Sequence, residues 1–475
     1  MSTIRTESKE ASAEPAPGTG RVHVVTFGCQ MNKYDSQLVE GRFKRKGWTT
    51  TEELEQADVV LFNTCSVRDH AEERTMSWVG ELKRLKKERP ELVVGVMGCM
   101  AQRMGEEIFA RAGHVDLVAG TRQFAQLPTL VEEVRRRRAQ GESKVRVAAL
   151  SMEDRLALDR EDEPWDGGAH AYLTVMRGCD LNCTYCIVPT VRGRVLSYPI
   201  EHVVKEARHY VERGVKVLTL LGQTVNSFGE DLPAPGPDER QWSGRQGRPG
   251  LGDLLRELQE IDGLARIRLI TLHPSYITDN FARAIAECGK VERFLPLPAQ
   301  SGSDEILRAM KRGYTTDLYR RRVEILRARV PDIELGSDWI VGFPGETAED
   351  HARSEAFLSE QGFAVNYIFK YDPRPGTKAH DGLVDDVPDE AKKERNQRLL
   401  ALGEEVGLRR HGAHVGARRR VLVEGRKDDG RLSGRTEHGL MASFEGPESL
   451  LGREVEVEIS GASGYGLGGT LARPA

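Results

Sequence analysis

Three cysteines lie within eight residues near the middle of the chain, in the stretch GCDLNCTYCIV, as Cys179, Cys183 and Cys186. The CxxxCxxC spacing can supply three thiolate ligands to a four-iron cluster, whereas a closed cluster or a structural zinc site needs four ligands. No fourth Cys or His lies close by in the sequence. One iron would therefore stay open to a substrate, as reductive chemistry requires. A zinc site that borrows a distant ligand such as His202 is the alternative.

Three further cysteines, Cys29, Cys65 and Cys99, each follow a predicted β-strand, and one strand-plus-helix repeat separates each from the next. Strands that alternate with helices in this way predict a parallel sheet, whose carboxyl ends share one edge. Glycines at 28 and 98 precede two of the cysteines and would let the backbone approach a cluster closely. The spacing therefore predicts a second three-thiol site, and three unrelated buried thiols are the alternative.

The remaining cysteine, Cys288, ends a predicted helix, and we expect a small buried side chain outside any site. Seven cysteines in 475 residues are an odd and sparse set, which argues against a secreted disulfide framework and for reduced thiols. The sequence has no apolar run long enough to cross a membrane and no signal-peptide pattern. We therefore expect a cytoplasmic protein without a membrane partner.

The predicted strands and helices that position these cysteines indicate an α/β fold class, and the chain divides into three structured regions. Apolar runs alternate with helical patterns up to about residue 410, and short β-like runs broken by glycine follow. The expected parts are a disordered tail at 1–20, an N-terminal parallel α/β domain at 21–135, a linker at 136–168, a central α/β domain at 169–408 and a small β-barrel at 409–475.

The central region contains six predicted strands, which together indicate a partial (β/α)6 barrel. In such barrels the loops after the strands carry the chemistry. The cysteines of the CxxxCxxC stretch follow the first strand, Gly222 and Gln223 follow the second, and Gln300 and Ser301 follow the fourth. These loops should surround one open end of the partial barrel, its mouth. The predicted strands lie near residues 171–177, 216–221, 266–272, 293–299, 333–341 and 365–371.

Basic residues are concentrated near the C-terminus. Residues 409–435 carry nine Lys or Arg and three acidic residues, and they include the run Arg418, Arg419 and Arg420. Such a concentration suits contacts with a phosphate backbone. A solvated face on an accessory barrel is the alternative, and the run Arg135–Arg138 is the next candidate for RNA contact.

The CxxxCx(aromatic)C pattern, with Tyr185 as the aromatic residue, resembles the radical S-adenosylmethionine (SAM) superfamily. The stretches TFGCQMN, NTCSVR, GQTVNS, RPGT and GRTE are similar to motifs of its methylthiotransferases, over about residues 21–472. The resemblance implies an N-terminal cluster domain, a radical SAM partial barrel and a TRAM-like RNA-binding β-barrel. It implies two 4Fe-4S clusters, one on Cys179, Cys183 and Cys186 with SAM, and an auxiliary one on the strand-end cysteines. The implied SAM contacts are Tyr185, Gly222, Gln223, Gln300 and Ser301.

The motifs are most similar to the branch that adds a 2-methylthio group to N(6)-dimethylallyladenosine at position 37 of tRNA. The implied partners are a tRNA anticodon loop, a reducing electron donor and a sulfur source, and the implied state is a monomer. Departures from that branch are Thr224, where asparagine is usual, and an insertion at 233–250. The alternatives are methylthiolation of threonylcarbamoyl-adenosine or of a ribosomal-protein aspartate, and a non-enzymatic iron–sulfur RNA-binding redox sensor.

Overall fold

The structure is a computed structural model that describes residues 20–66, 69–153 and 167–472. The expected tail therefore falls almost wholly outside the described residues, as do residues 154–166 of the expected linker. The described chain divides into two compact units, one up to residue 153 and one from residue 167. Across the described ranges, no helix combines the length and the apolar character needed to cross a membrane.

The N-terminal unit is built on one parallel six-stranded sheet with the order β2-β1-β3-β4-β5-β6. Its strands are β1 (Arg21–Thr26), β2 (Thr49–Thr50), β3 (Val59–Thr64), β4 (Val93–Gly98), β5 (Leu117–Ala119) and β6 (Val147–Ala149). Its helices are α1 (Gln30–Arg45), α2 (Asp69–Glu88), α3 (Cys99–Met104), α4 (Glu107–Arg111) and α5 (Leu127–Ala139), with 3-10 turns at Leu54–Gln56 and Phe124–Gln126.

The central strands β3 and β4 read VVLFNT and VVGVMG, and every residue in them is buried. Such continuous apolar runs are typical of parallel strands that helices cover on both faces. The linker predicted from residue 136 begins too early, because α5 continues to Ala139 and β6 adds the sixth strand beside β5. The β6 run is too short for its periodicity to stand out from the charged residues around it.

The second unit begins with the central α/β region. Its strands are β7 (His170–Thr174), β8 (Met176–Arg177), β9 (Leu196–Ser197), β10 (Val217–Leu221), β11 (Arg266–Leu269), β12 (Phe294–Pro296), β13 (Glu334–Val341) and β14 (Val365–Lys370). Its helices are α6 (Val188–Arg192), α7 (Ile200–Glu212), α8 (Leu251–Gln259), α9 (Asp279–Glu287), α10 (Asp304–Ala309), α11 (Thr316–Arg329), α12 (Ala348–Gln361), α13 (Lys378–Gly382) and α14 (Asp389–Gly412), with 3-10 turns at Val225–Ser227, Arg245–Gly247 and Pro274–Tyr276.

Six of these strands run parallel in chain order, as predicted. Strands β7, β10 and β11 pair side by side, and so do β12, β13 and β14. A parallel bridge between Ile267 and Val291 lies at the junction of the two sheets. Large apolar side chains such as Trp339 and Phe363 form the core between the strands and the covering helices. The other faces of the strands point into the interior of the partial barrel.

The chain ends in a closed five-stranded barrel with the order β15-β16-β17-β19-β18. Its strands are β15 (Arg418–Arg426), β16 (Leu432–Thr436), β17 (Met441–Glu445), β18 (Glu454–Ser463) and β19 (Gly466–Leu471), with a 3-10 turn at Glu448–Leu450. Inward residues such as Val423, Phe444 and Ile459 fill its core, which also includes Ala364 of the central region. The predicted α/β fold class with a small C-terminal barrel is confirmed.

Candidate functional site

The CxxxCxxC loop leaves the end of the first central strand and is held from several sides. The Cys179 amide donates to the Gly193 carbonyl at 3.0 Å, and the Thr184 amide donates to the Met310 carbonyl at 2.9 Å. Gly178 has φ 76°, and a Cβ there would lie 1.9 Å from the Arg194 carbonyl oxygen, so only glycine fits. The loop is therefore fixed both by Gly178 in its own sequence and by contacts with residues outside it.

The three thiols of this loop are largely shielded from solvent. Cys179 and Cys183 are buried, and Cys186 is half-buried. Burial raises the pKa of Cys179, and burial together with the charges of the neighbouring cysteines raises the pKa of Cys186 to about 12. Thiols in such a place ionise only when strong positive charge compensates them, as iron ions do. The donor set therefore fits a cluster.

Two polar groups contact the thiols directly. The Thr224 hydroxyl lies 3.3 Å from the Cys179 sulfur, and Arg312 Nη1 donates to the Cys183 sulfur at 3.3 Å. Thr224 is one of the departures that the sequence analysis singled out, and its hydroxyl lies beside a predicted cluster ligand. Arg312 is buried, and its Nε donates to the Tyr314 hydroxyl at 3.2 Å. This cation gives the site a positive charge that the sequence analysis missed.

Asp338 is a second charged residue that the sequence analysis missed. It lies on the barrel-interior face of β13, because Trp339, the next residue, faces the covering helices. Burial raises the pKa of Asp338 to about 6, and the charge of Arg312 opposes that shift. An acidic residue inside the apolar run LGSDWIVGF is the signal that could have identified it.

The predicted SAM contacts fall into two groups. Tyr185 packs against apolar residues that include Phe343 and Tyr371. Gln300 has φ 67°, and its backbone bridges to β13 through the Asp338 carbonyl and the Ile340 amide, both at 2.9 Å. Both residues thus lie beside the barrel interior.

The other three predicted contacts are engaged in supporting the loops. The Gln223 side chain accepts from the Gly178 amide, which fixes the start of the cysteine loop. A Cβ at Gly222 would lie 2.5 Å from Met176 Cγ, so the glycine permits close packing. The Ser301 hydroxyl accepts from the Ser303 amide at 3.1 Å and therefore helps to shape the turn before α10.

In the N-terminal unit, Cys29, Cys65 and Cys99 follow β1, β3 and β4, which are neighbours in the sheet. The three residues therefore lie at one edge, at the carboxyl ends of adjacent strands. Gly28 has φ 131°, and a Cβ there would lie 2.6 Å from Cys65 Cβ, so the first loop passes directly over the second cysteine. Gly98 has φ 94° and precedes Cys99 at the start of α3.

Two buried asparagines connect these loops. Asn32 Nδ2 donates to Asn63 Oδ1 at 3.1 Å, and Asn63 Nδ2 donates to the Asn32 carbonyl at 2.8 Å. The Cys29 thiol lies 3.2 Å from Asn32 Oδ1. The hydroxyl of Ser66, next to Cys65, is buried and has no hydrogen-bond partner among the described residues. A bound polar group at this edge would satisfy it, so the edge fits a second cluster.

Single metal ions are a separate case. Among the described side chains, no three of His, Cys, Asp and Glu lie close enough together to hold one ion. In a cuboidal cluster each thiolate binds a different iron, so the ligand sulfurs lie farther apart than the ligands of a single ion. The finding therefore concerns single-ion sites alone.

The arginine runs proposed for RNA contact are largely paired with acids. Arg419 Nη1 lies 3.8 Å from Glu437 Oε1, and Arg420 Nη1 lies 3.6 Å from Glu454 Oε2. Arg418 pairs with Glu458 in the register of the β15–β18 ladder. In the Arg135–Arg138 run, Arg136 pairs with Glu133, Arg137 with Glu142 and Arg138 with Asp116, and Arg135 lies over the Trp48 ring.

Family models match all three regions of the chain. Residues 21–120 match the uncharacterized protein family UPF0004, residues 173–358 match the radical SAM superfamily, and residues 412–471 match the TRAM domain. The radical SAM match spans the cysteine loop, Arg312 and Asp338.

Relatives named tRNA-2-methylthio-N(6)-dimethylallyladenosine synthase match almost the whole chain. The protein from Bordetella avium is 40% identical, covering 99% of this chain and 97% of that protein. The protein from Stutzerimonas stutzeri is 40% identical, covering 95% and 99%, and that from Sulfurihydrogenibium sp. is 37% identical, covering 95% and 99%. The chain belongs to the tRNA-2-methylthio-N(6)-dimethylallyladenosine synthase family. This confirms the resemblance that the cysteine motifs indicated.

Solved structures agree with the fold of this synthase family. The radical SAM methyltransferase TsrM from Kitasatospora setae superimposes with a TM-score of 0.56 at 17% identity, covering 76% of this chain and 75% of that chain. The cobalamin-dependent radical SAM enzyme OxsB gives a TM-score of 0.53 at 13% identity, covering 79% and 56%. Members of this family are radical SAM enzymes, and family membership implies an iron–sulfur cluster and SAM.

Proposed function

We propose that the chain is a radical SAM methylthiotransferase that adds a 2-methylthio group to N(6)-dimethylallyladenosine at position 37 of tRNA. The near-complete match to relatives of that name carries the proposal. Two separate three-cysteine sites support it, since insertion of sulfur at an unactivated aromatic carbon requires both a radical source and a sulfur donor. The TRAM match adds an RNA-binding module.

The proposed SAM site is the cysteine loop in the barrel. Cys179, Cys183 and Cys186 would hold a 4Fe-4S cluster, which when bound and reduced cleaves SAM to methionine and a 5′-deoxyadenosyl radical. Arg312 would balance the negative charge of the thiolates and attract the SAM carboxylate, while Asp338 offers an acceptor for cationic or hydroxyl groups of SAM. Tyr185 and Gln300, beside the barrel interior, are the proposed neighbours of SAM.

The proposed auxiliary site is the sheet edge that carries Cys29, Cys65 and Cys99. There a second 4Fe-4S cluster would hold the sulfur to be donated. Gly28 and Gly98 let the loops that carry these cysteines pack closely, since a Cβ at Gly28 would lie 2.6 Å from Cys65 Cβ and a Cβ at Gly98 would lie 2.5 Å from Asn63 Oδ1. SAM would serve twice, once as the methyl donor and once as the radical source.

The interior face of β14 supports a prenylated substrate. Tyr367 stands opposite Asp338 in the β13–β14 register, so it shares the interior face, and its side chain is 59% exposed. An exposed ring at this edge offers apolar contact to a dimethylallyl group. The carboxylate of a threonylcarbamoyl group would instead meet the Asp338 carboxylate. This arrangement favours the dimethylallyl substrate over the threonylcarbamoyl one.

The proposal includes a tRNA anticodon loop as the partner, a reducing electron donor and an external sulfur source. A base in such a loop can be splayed out of its stack, as chemistry at its ring carbon requires. The monomer already contains both three-cysteine sites, so we propose that it acts as a monomer. Because tRNA is the substrate, the proposed compartment is the cytoplasm.

The test replaces Cys29, Cys65 and Cys99 with alanine in one variant. Anaerobically reconstituted variant should lose about half its iron and sulfide, since one of two equal clusters is removed. It should still release 5′-deoxyadenosine from SAM, yet form no 2-methylthio nucleoside by mass spectrometry of digested tRNA. Cys288→Ala is the matched control, because this buried thiol lies outside both sites and its loss should leave both readouts unchanged.

Two outcomes contradict the proposal. A methylthiolated product from the triple variant would remove the auxiliary site from the reaction. A wild-type protein that releases no 5′-deoxyadenosine under reducing conditions with SAM would favour the redox-sensor alternative instead.

A further inference from the structure

The C-terminal barrel carries an open groove of about 340 Å³ on its outer surface. It runs over β17, β18 and β19, from the β15–β16 turn at one end to the β18–β19 turn at the other. This volume lies at the lower end of the range for small-molecule sites and suits one nucleotide. The lining residues are Lys427, Arg431, Met441, Ala442, Ser443, Gly461, Ala462, Ser463, Tyr465, Gly466, Leu467 and Gly468.

The floor of the groove is backbone. Gly461 and Gly468 face each other across the β18–β19 pair, and Ser443 stands beside Gly468 on β17. A Cβ built at Gly461 or Gly468 would meet no atom of the described chain within 4 Å, so the packing of that part of the chain does not require either glycine. Glycine normally weakens a strand, and in strand interiors it often marks a site where another molecule approaches the backbone closely. The two glycines thus point to a ligand above the sheet.

The walls of the groove carry an aromatic ring and two cations. Tyr465 at the β18–β19 turn is 80% exposed, and its hydroxyl lies 3.3 Å from Glu404 Oε2, which steadies the ring. Arg431 pairs with Asp429 and keeps 45% of its side chain exposed. Within the described ranges, the Lys427 ammonium makes no ion pair or side-chain hydrogen bond. Of the described residues that line the groove, none is Asp or Glu.

We propose that this groove binds an unpaired nucleotide of the tRNA substrate, with the base stacked on Tyr465 and the phosphate held by Lys427 and Arg431. The inference rests on the proposed function and adds a second RNA site to it. An exposed aromatic ring beside cations over a flat floor is the combination that binds single-stranded nucleic acid. A stacked base covers the exposed ring of Tyr465, and a phosphate neutralises the charges of Lys427 and Arg431.

The groove is separate from the mouth of the central barrel. The small barrel docks at the opposite, amino-terminal ends of the central strands: Arg266, which begins β11, donates to Glu454, and the amide of Arg293, just before β12, donates to the Glu437 carbonyl at 2.8 Å. The cysteine loop lies at the carboxyl ends. The nucleotide in the groove is therefore a different one from the adenosine that reacts, and it anchors the tRNA at a distance from the chemistry.

The groove also differs from the arginine run of β15. Arg419 and Arg420 lie near glutamates of the barrel. In the groove, Arg431 pairs with Asp429, whereas the Lys427 ammonium makes no ion pair or side-chain hydrogen bond among the described side chains, and the Tyr465 ring lines the other end of the groove. A phosphate can thus approach the groove without displacing an internal ion pair of Lys427.

The experiment measures binding of the full chain to tRNA that carries N(6)-dimethylallyladenosine, by fluorescence anisotropy over a range of salt concentrations. Tyr465→Ala should weaken binding about 5- to 150-fold, the range for loss of one stacked base. Tyr465→Phe keeps the ring and should bind like wild type. Lys427→Ala with Arg431→Ala should lower the log–log salt slope by roughly 0.7 for each lost phosphate contact.

A variant that fills the groove separates binding from folding. Gly468→Val adds a β-branched side chain where no protein atom lies within 4 Å, so the barrel should keep or raise its thermal midpoint. The same variant should lose tRNA affinity as Tyr465→Ala does. Arg283→Ala, which removes a half-exposed arginine on the outer helix α9, is the control and should leave both the affinity and the slope unchanged.

The outcomes distinguish this inference from the proposed function. If wild-type protein binds tRNA and both Tyr465→Ala and Gly468→Val bind equally well, the groove is not an RNA site while the proposed function stands. If the wild-type protein itself does not bind tRNA, the tRNA substrate is wrong and the groove proposal fails with it.

Discussion

Replacement of Asp338 by asparagine should make the central unit more stable at neutral pH, although it removes a charge from the candidate SAM site. The carboxylate faces the barrel interior, and burial raises its pKa from 3.8 to about 6. The folded chain therefore holds the proton more tightly than the unfolded chain does. Ionisation of Asp338 at neutral pH opposes folding, and asparagine cannot ionise.

The magnitude follows from proton linkage. With a folded pKa of about 6 and an unfolded value of 3.8, the ionised carboxyl reduces the free energy of unfolding by about 3 kcal/mol well above pH 6. The stability is fully present below the unfolded pKa and is lost as the pH rises through the folded pKa. The advantage of Asp338→Asn should thus be about 3 kcal/mol at pH 8, about half of that at pH 5, and absent near pH 3.

The assay is urea unfolding of cluster-free protein at several pH values, with hydrogen exchange of peptides from β13 to assign the transition to this unit. Asp332 provides a control of opposite sign, because hydrogen bonds from Arg293 and His438 outweigh burial and lower its pKa. Asp332→Asn should therefore destabilise the chain at neutral pH, and its effect should fade as the pH falls. An Asp338→Asn advantage that does not change between pH 5 and pH 8 would refute the reasoning.

Two further predictions concern the cysteine loop and the arginine run. Cys183→Ala should abolish 5′-deoxyadenosine formation, because two thiols cannot hold the SAM cluster, while the iron of the N-terminal site persists; undiminished SAM cleavage would contradict this assignment. Joint replacement of Arg418, Arg419 and Arg420 by alanine should lower the salt slope of tRNA binding, by at most roughly 0.7–0.9 for each lost phosphate contact. Arg419 and Arg420 already lie beside Glu437 and Glu454, whereas Lys427 makes no ion pair among the described side chains, so we expect a smaller change for each arginine than at Lys427. Equal losses at both places would assign the arginine run an RNA role as well.

The order of elements and the placement of both cysteine sets could be predicted from the sequence. Strand and helix periodicity is local, so the strands before Cys29, Cys65 and Cys99 can be predicted without knowledge of any tertiary contact. Parallel strands connected by helices present their carboxyl ends at one edge, which brings residues that are far apart in the sequence to the same side. The six central strands and the position of the CxxxCxxC loop after the first of them follow from the same rule.

The surroundings of these cysteines depend on contacts that only the tertiary structure creates. Arg312 donates to the Cys183 sulfur across 129 positions of the chain, and no local pattern indicates that a helix-end arginine turns inward. Asp338 faces the interior because of the alternation along β13 and the closure of the barrel around it. The β6 strand adopts its place because β5 offers an open edge.

The electrostatic character of the C-terminal barrel was likewise decided by strand pairing. The basic run of β15 reads as an RNA-binding surface in the sequence, but the register places it beside the acidic strand β18, which compensates its charge. The glycines and Tyr465 that form the groove come from strands and turns that are unremarkable one at a time. Periodicity along one strand shows which of its residues face outward. The charge of the resulting surface depends on which outward residues become neighbours, and the order of the strands in the sheet determines those neighbours.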